Sequence, residues 1–504
     1  MTIEINDEVF EDLPVEKRQS VSEEQKRVLL LILDWAVNQP KKQEFCLDAC
    51  AGSGKTHIAL LLNYFESIGQ VIFSAYTNKA TGVLAAKSDG ECPATTVFSL
   101  IYRPGRRVNE EQVAAQEEKL KKLKEAKKPN AEKITKVEAK IKKLKQGFFI
   151  GVEKEYSVME DYCITIVDEA SMINKRDAAA LRKLGNKILY IGDLMQLQPV
   201  ISNKIPPKEK PLYERYLDYT KVDASLDEVH RQKADSGVLR IAGYVRRKFK
   251  ASEDSFSFTP HMAEFYNKLP DVSIKPLKGF DTRCLEKYRD DSIGIKGGFD
   301  RNTHLVTFEN KDRIALNNMI RKEFVRPLMD DGRYDPLPVA GDKLECRTTQ
   351  PFNRQDPDAF RLMTGLFCEV RKVWNAGHKN AVRVLLRFET GVEKDMYIDT
   401  SLFYEEMTGK GKVIVADRPL EYDFMPIYQF PRVSTGYGKD DTSAMTPLFR
   451  YAYATTVHSA QGSEWDNVVL YDNKAMCWSS ERYNFIYTAI TRARKNIEIY
   501  TGDL

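Results

Sequence analysis

Eight residues near the start of the chain have the types and spacing for phosphate chemistry. Ala49, Cys50, Ala51, Gly52, Ser53, Gly54, Lys55 and Thr56 sit between an apolar run (45–47) and a helical pattern (57–64). Gly52 and Gly54 let the backbone turn its N–H groups, with those of Ala51 and Ser53, towards an anion. Lys55 can reach outer phosphates, and Thr56 can offer its hydroxyl to Mg²⁺ at a helix N-terminus. The first glycine of the general signature is replaced by Ala49, and an ordinary Gly/Ser turn before a helix is the plainer alternative. Further along, the apolar stretch 163–167 ends in Asp168 and Glu169. Asp168 suits Mg²⁺ held through its water shell, and Glu169 suits a water to be oriented and deprotonated for attack on a γ-phosphate. The strand-like stretch 187–191 delivers Gly192, Asp193 and then Gln196, which can sense that phosphate. Together these strand ends make one nucleoside triphosphate site for ATP, which coincidence explains poorly. Gln25, upstream, can read an adenine edge, or is a surface residue if it acts alone.

The elements that must hold these groups follow from periodicity. Ser22, Glu24 and Gln25 open a helix whose apolar surface is Val28, Leu29, Ile32, Leu33 and Trp35. A short buried strand, 71–75, precedes Thr77, Asn78 and Lys79. Polar groups at the carboxyl end of a parallel strand face a ligand crevice, so these three can hold a phosphate backbone; a capped helix start is the alternative. Arg231 follows the first core. A second α/β pattern begins with 305–308 and a helix carrying Leu316, Asn317, Ile320 and Arg321. From 338 to 448 the chain reads as short alternating strands (368–373, 382–388, 396–398), a small β-barrel inserted in the second core, with a Gly-, Ser- and Asp-rich loop at 432–443 that looks mobile. It returns to α/β at 451–466 and closes with 487–494 and a strand at 497–500. Arg492 can then reach across a cleft to the γ-phosphate as an arginine finger; a surface ion pair is the bland alternative.

Residues 102–161 break the alternation. Within 109–146, Val113, Leu120 and Leu123, then Ile134, Val137, Ile141 and Leu144, recur at helical spacings on either side of a turn at 127–130. This predicts an antiparallel helical hairpin, basic outside, whose charge is a solvated face or a nucleic-acid contact. Phe148 and Phe149 beyond it belong to a strand that meets a duplex end, or to local core.

Composition narrows the class without choosing the function. The 504 residues exceed what one core holds, and 42% hydrophobic with 30% charged residues is a globular balance. Net charge of +4 permits a nucleic-acid partner without requiring one. The eight cysteines are scattered, with no C-x-x-C pair, which suits a reduced cytoplasmic setting without structural zinc. The first 18 residues are acidic where a leader would be basic, and no apolar run is long enough for a membrane, so no membrane association is expected.

In motif order the chain resembles a superfamily 1 helicase over almost its whole length. Residues 49–56, with alanine first, resemble the family's motif I, Thr77 to Ala80 motif Ia, Asp168 and Glu169 motif II, and 192–200 motif III. Arg231 matches the motif IV arginine, 455–466 motif V and 487–494 motif VI. Within the superfamily, Val167-Asp168-Glu169-Ala170-Ser171-Met172, the Gly-Asp-x-x-Gln-Leu-x-Pro-Val of 192–200 and Val457-His458-Ser459-Ala460-Gln461-Gly462-Ser463 look like the RecD/Dda-like branch.

That resemblance implies α/β architecture with two RecA-like P-loop cores, a pin insertion in the first and an SH3-like β-barrel insertion in the second. The segments would be 1–101 and 162–230 (first core), 102–161 (pin and helical hairpin), 231–337 and 449–504 (second core) and 338–448 (barrel). It implies ATP and Mg²⁺ as cofactors and 5′ to 3′ movement on single-stranded DNA in steps of about one nucleotide, with forked duplex DNA as substrate. Lys55, Thr56, Asp168, Glu169, Gln196, Arg231 and Arg492 would serve hydrolysis, with Gln25 at the base. Thr77, Asn78, Lys79, Thr456 and His458 would contact the strand, with Thr96 and Phe98 beside them; Phe98 stands where relatives often have histidine. Gln461 and Gly462 would couple the two sites, Gly462 from beside the nucleotide, and Trp465 is expected to pack rather than stack on DNA. The enlarged hairpin departs from a compact pin. A monomer in a bacterial or phage-infected cell is expected, with a single-stranded DNA-binding protein or replisome component as a further partner. Replication, repair and recombination all remain open, as do a 3′ to 5′ translocase and an ATP-gated nucleoprotein remodeller or loading factor.

Overall fold

The first core is a six-stranded parallel sheet. In chain order its strands are β1 (Glu44–Ala49), β2 (Val71–Ala75) and β3 (Ala94–Thr96), then, after an intervening ribbon of β4 (Tyr102–Arg107) and β5 (Phe148–Glu153), β6 (Ile164–Asp168), β7 (Lys187–Gly192) and β8 (Ala224–Leu226). They lie in the order β3-β2-β6-β7-β1-β8. The computed structural model describes residues 7–88, 94–107, 110–125, 133–135, 137–138, 140–141, 148–153, 162–199, 201, 205, 207–228, 236–250, 255–292, 298–325, 334–349, 360, 362–374, 381–408, 446–474, 479 and 481–504.

The strands are nearly continuous apolar runs because helices cover both faces of a parallel sheet; β2 and β6 are buried at every position. Register sets Ala75 beside Asp168 and Asp48 beside Gly192, so the loops that carry the phosphate-directed residues leave along one edge. The helix Glu23–Asn38 starts with a reciprocal capping box between Ser22 and Gln25.

The ribbon pairs antiparallel from Tyr102 opposite Glu153 to Arg107 opposite Phe148. It carries the lysine-rich segment between its strands, so Phe148 and Phe149 lie in a strand. The helix Glu110–Lys124 buries Val113, while Val137 and Ile141 are buried beyond the turn and Lys124 reaches Glu138 at 2.6 Å. The 127–130 turn, Leu144 and the 432–443 loop lie outside the described residues.

The second core contains β9 (Val272–Pro276), the short ribbon β10 (Arg289–Asp290) and β11 (Gly298–Phe299), and β12 (Thr303–Thr307). An antiparallel unit follows, built from β13 (Lys343–Cys346), β14 (Phe367–Trp374), β15 (Ala381–Phe388), β16 (Glu393–Asp399) and β17 (Phe449–Tyr451), and then come β18 (Ala454–Thr456), β19 (Trp465–Asp472) and β20 (Ala493–Thr501). The parallel order is β18-β12-β19-β20-β9, and the antiparallel order β16-β15-β14-β13-β17. The molecule is thus two RecA-like parallel cores with an insertion in each. Among the described residues no helix is long and apolar enough to cross a membrane.

The root of the second insertion is fixed by a buried pair. Arg321 and Asp342 are each 0% exposed and share two contacts of 2.8 and 3.0 Å, while the Tyr453 hydroxyl and the Val339 N–H also donate to the carboxylate. The Arg321 guanidinium lies 4.0 Å from the centre of the Tyr451 ring. Removing one member of such a pair strands the other charge. Arg321→Met should therefore cost about 3 kcal/mol, read as a lower urea midpoint, and adding Asp342→Leu should recover most of it.

Candidate nucleotide site and strand path

The phosphate loop joins β1 to the helix Lys55–Leu61. Gly54 stands at φ +86°, where a Cβ would lie 2.5 Å from Gln25 Nε2, so only glycine fits. Gln25 is 3% exposed; its Nε2 donates to the Ser53 carbonyl at 3.1 Å and its Oε1 accepts from Ser22 N at 3.1 Å. The amide that the sequence reading gives to an adenine edge is thus engaged by the chain at both ends, beneath the loop rather than on the surface.

Asp168 and Glu169 leave β6 as a sharp turn. Glu169 adopts φ 53°, uncommon for a residue with a Cβ, and its N–H donates to Asp168 Oδ1 at 2.8 Å. This turn sends the Glu169 carboxylate back to Lys55, with Nζ to Oε1 at 2.9 Å. Thr56 Oγ1 lies 3.4 Å from Asp168 Oδ2. Burial pushes the Asp168 carboxyl above its ordinary range, Lys55 opposing the shift and Glu169 adding to it. For Lys55 burial works against the charge, and Glu169 and Asp168 outweigh it, holding the ammonium above its ordinary value. Among the described residues no group of three or more His, Cys, Asp or Glu could hold a metal. The paired Thr56 and Asp168 oxygens fit Mg²⁺, which binds through one or two protein ligands and keeps several waters. Gln196 is 1% exposed, and its Oε1 is buried without a hydrogen-bond partner.

The second core meets this edge through the helix Glu481–Ile490. Asn484 Nδ2 donates to the Met195 carbonyl at 2.9 Å, Leu197 N to Thr488 Oγ1 at 3.1 Å, and the Tyr487 hydroxyl to Asp193 Oδ2 at 2.7 Å. Ala51 N of the phosphate loop donates to that same hydroxyl at 3.4 Å. Arg246, on the helix Gly237–Lys250, reaches Asp48 at 2.7 Å and Asp193 at 3.0 Å. Burial opposes its charge, and Asp193, Tyr487 and Asp48 outweigh that cost.

Arg492 is 3% exposed and donates to the carbonyls of Thr488 (3.0 Å) and Ser463 (3.2 Å) and to Thr491 Oγ1 (3.2 Å), all in its own core. Arg494, which the sequence reading named only as the end of motif VI, instead lines a narrow cleft with Ala51, Gly52, Glu464 and Thr491. Gly462 takes φ +73° in the turn before Ser463. Arg231 lies outside the described residues. Arg246 was missed, and Tyr487 was named only as the start of motif VI, without a role. Arg246 did leave a signal, since it falls four residues after Ala242 and eight after Val238 on the buried stripe of its helix.

Farther along the carboxyl-end edges of the two sheets, Thr77, Thr96 and Thr456 each cap a helix at a strand's end, accepting from Ala80, Ser99 and Ser459 N–H respectively. Asn78 opens the helix that Thr77 caps. Lys79 is paired with Glu389, at 2.8 Å, and stands 4.5 Å from the centre of the Phe367 ring, so it bridges to the antiparallel insertion. Phe98 is 53% exposed beside Tyr102, at 4.9 Å between ring centres. His458 is half-buried and burial holds it below the usual imidazole range. Trp465 stacks flat on His304, 3.8 Å between ring centres, a packing role.

With this geometry in view, comparison with known proteins defines the class. Residues 22–251 match an AAA domain, and residues 451–499 match the UvrD-like helicase C-terminal domain. The chain thus joins a P-loop ATPase core to a helicase-type second core. No curated protein matches it. Among solved structures it is similar to a Pif1 helicase from Bacteroides in complex with ADP-AlF3 and ssDNA, at 16% identity over 95% of this chain and 92% of that one, TM-score 0.47. It is also similar to the Pif1 helicase from Candida albicans, at 14% identity over 95% and 94%, TM-score 0.46.

The raised Asp168 carboxyl makes its charge a cost to the ligand-free fold at neutral pH, because the unfolded state ionises more readily. Asp168→Asn should keep the contacts from Glu169 N and Thr56 while removing that charge. It should raise the thermal midpoint of the nucleotide-free protein and abolish ATP turnover; a lower midpoint would show the carboxylate to be structural.

Proposed function

We propose that this chain is an ATP-dependent DNA helicase of the RecD/Dda-like branch that moves 5′ to 3′ on single strands. The observation that carries this reading is one sheet edge on which Lys55, Thr56, Asp168, Glu169 and Gln196 converge while Tyr487 and Thr488 of the second core close over the same edge. Lys55 and the loop N–H groups of residues 51–56 bind the phosphates of ATP, and Thr56 and Asp168 hold Mg²⁺, which supplies charge neutralisation at the phosphates. Glu169, freed from Lys55 when phosphate claims the ammonium, orients and deprotonates the attacking water. Arg231 and Arg492 belong to the closed state, in which Arg492 exchanges its carbonyl partners for the γ-phosphate. Polarity comes from the motif resemblance.

Thr77, Asn78, Lys79, Thr96, Phe98, Thr456 and His458 line the strand path, and opening and closing of the cores moves it along. Lys55→Ala and Glu169→Gln should each abolish ATP turnover and leave single-strand binding intact; full turnover in either rejects the site. Unwinding of partial duplexes with a 5′ or a 3′ tail tests the direction. Opening only the 3′-tailed substrate would overturn the branch, and DNA-stimulated turnover with neither opened would favour a nucleoprotein remodeller.

Lys79 can take a strand phosphate only by leaving Glu389. Glu389→Gln should tighten binding of an oligo(dT) by about threefold, the worth of a part-exposed ion pair. The gain should shrink at high salt and vanish in a Lys79→Ala background. An equal gain with Lys79 absent would reduce Glu389 to a general repulsive charge.

A further inference from the structure

Arg246 lies between the cores, 7% exposed, and one guanidinium serves two buried carboxylates. Its Nε has no hydrogen-bond partner, so the two terminal nitrogens carry both contacts. Each carboxylate belongs to a different part of the nucleotide site. Asp48 is the penultimate residue of β1, directly before the phosphate loop, and its other oxygen accepts from Leu194 N at 3.0 Å. Asp193 opens the turn that ends in Gln196, whose N–H donates to the Asp193 carbonyl at 2.9 Å. The third member, Tyr487, donates to Asp193 and accepts from Ala51 N.

We propose that Arg246 and Tyr487 are positioning residues for ATP turnover, registering the phosphate loop and the 192–196 turn against the second core so that nucleotide state sets the placement of the helices Gly237–Lys250 and Glu481–Ile490. This rests on the ATPase reading above and adds to it the joint through which the two cores communicate. The two contacts of the Tyr487 hydroxyl differ in kind. The bond to Asp193 is short, at 2.7 Å, and ends on a carboxylate; the one from Ala51 N is long, at 3.4 Å, and ends on a neutral oxygen. A phosphate oxygen is a stronger acceptor than a phenol, so nucleotide takes the Ala51 N–H and leaves Tyr487 tied to Asp193 alone.

Gln196 responds to the outer phosphate through the same turn, so any shift of that turn is passed by Asp193 to Arg246 and Tyr487 together. Their two helices share one apolar cluster, with Val238, Ile241 and Val245 on one and Tyr483, Ile486 and Ile490 on the other. They therefore move as a unit, as closely packed elements do when an interface has two arrangements.

Arg246→Ala would strand two buried carboxylates and unfold the joint, so the informative variants are Tyr487→Phe, which removes one oxygen, and the pair Arg246→Lys and Arg246→Gln. Each is made in the full chain, and turnover is titrated with ATP with and without saturating oligo(dT), alongside the thermal midpoint. In Tyr487→Phe the stimulation by DNA should fall about tenfold, a typical coupling between two sites. The KM for ATP should stay within about twofold, because binding and coupling are separate quantities. Arg246→Lys should retain more stimulation than Arg246→Gln at equal midpoint. Full stimulation in Tyr487→Phe and Arg246→Lys, with only the midpoint lowered, would make the joint structural cement and overturn the proposal. A raised KM with stimulation intact would also overturn it, by moving Tyr487 into nucleotide binding. A wild-type chain that turns over no ATP would sink the ATPase reading itself, and the proposal with it.

Discussion

Parallel strands all finish on the same edge of their sheet, and that constraint organises the nucleotide site. The phosphate loop, the paired acids and the Gly192–Asp193 turn are far apart in the chain, yet they follow β1, β6 and β7, which lie within one continuous order of strands. No side chain has to travel to meet the others. Lys55 reaches Glu169 at 2.9 Å because the β6 turn aims the carboxylate back across the sheet edge. The cost is local: a residue with a Cβ is held at φ 53°, and a carboxylate is buried beside a second one.

The second core is fastened to the same edge by polar groups rather than by an apolar seam alone. Asn484, Tyr487 and Thr488 occupy successive turns of one helix and meet the backbone of residues 195–197 and the side chain of Asp193. A polar joint suits parts that must separate and rejoin, since its groups can exchange partners with water or phosphate, whereas a wide apolar interface would resist opening. The root of the second insertion is built differently, on the fully buried ion pair of Arg321 with Asp342, where no exchange is needed.

Much of this was legible in the sequence. Long apolar runs with polar residues at their carboxyl ends marked β2, β6 and β7, because a parallel strand has to be apolar along its whole length while its exit loop is free to carry chemistry. Alternation marked β14 and β15 for the opposite reason, since an antiparallel sheet shows one face to water. The three-residue strands β3 and β8 carry too few side chains to show a period. Strand order was invisible, as neighbours such as β1 and β7 are set by tertiary packing. Arg246 was readable as a charge on an apolar stripe, but its two partners are distant in sequence. Arg492 was assigned from its place in the chain, which gave no sign of the Thr488 and Ser463 carbonyls that its guanidinium meets.

The pairing of β9 with β20 joins Val272 to Ile497 and Pro276 to Thr501. The second parallel sheet therefore cannot close during synthesis until the last residues described here have left the ribosome. The strand pairing of the first sheet needs nothing beyond Leu226, so a growing chain passes through a long interval with one sheet paired and the other open. During that interval the apolar stripe of the helix Gly237–Lys250 has no partner from the helix Glu481–Ile490. Val238, Ile241 and Val245, buried in the folded molecule, then lack that cover, and transiently exposed apolar surface of this kind favours aggregation.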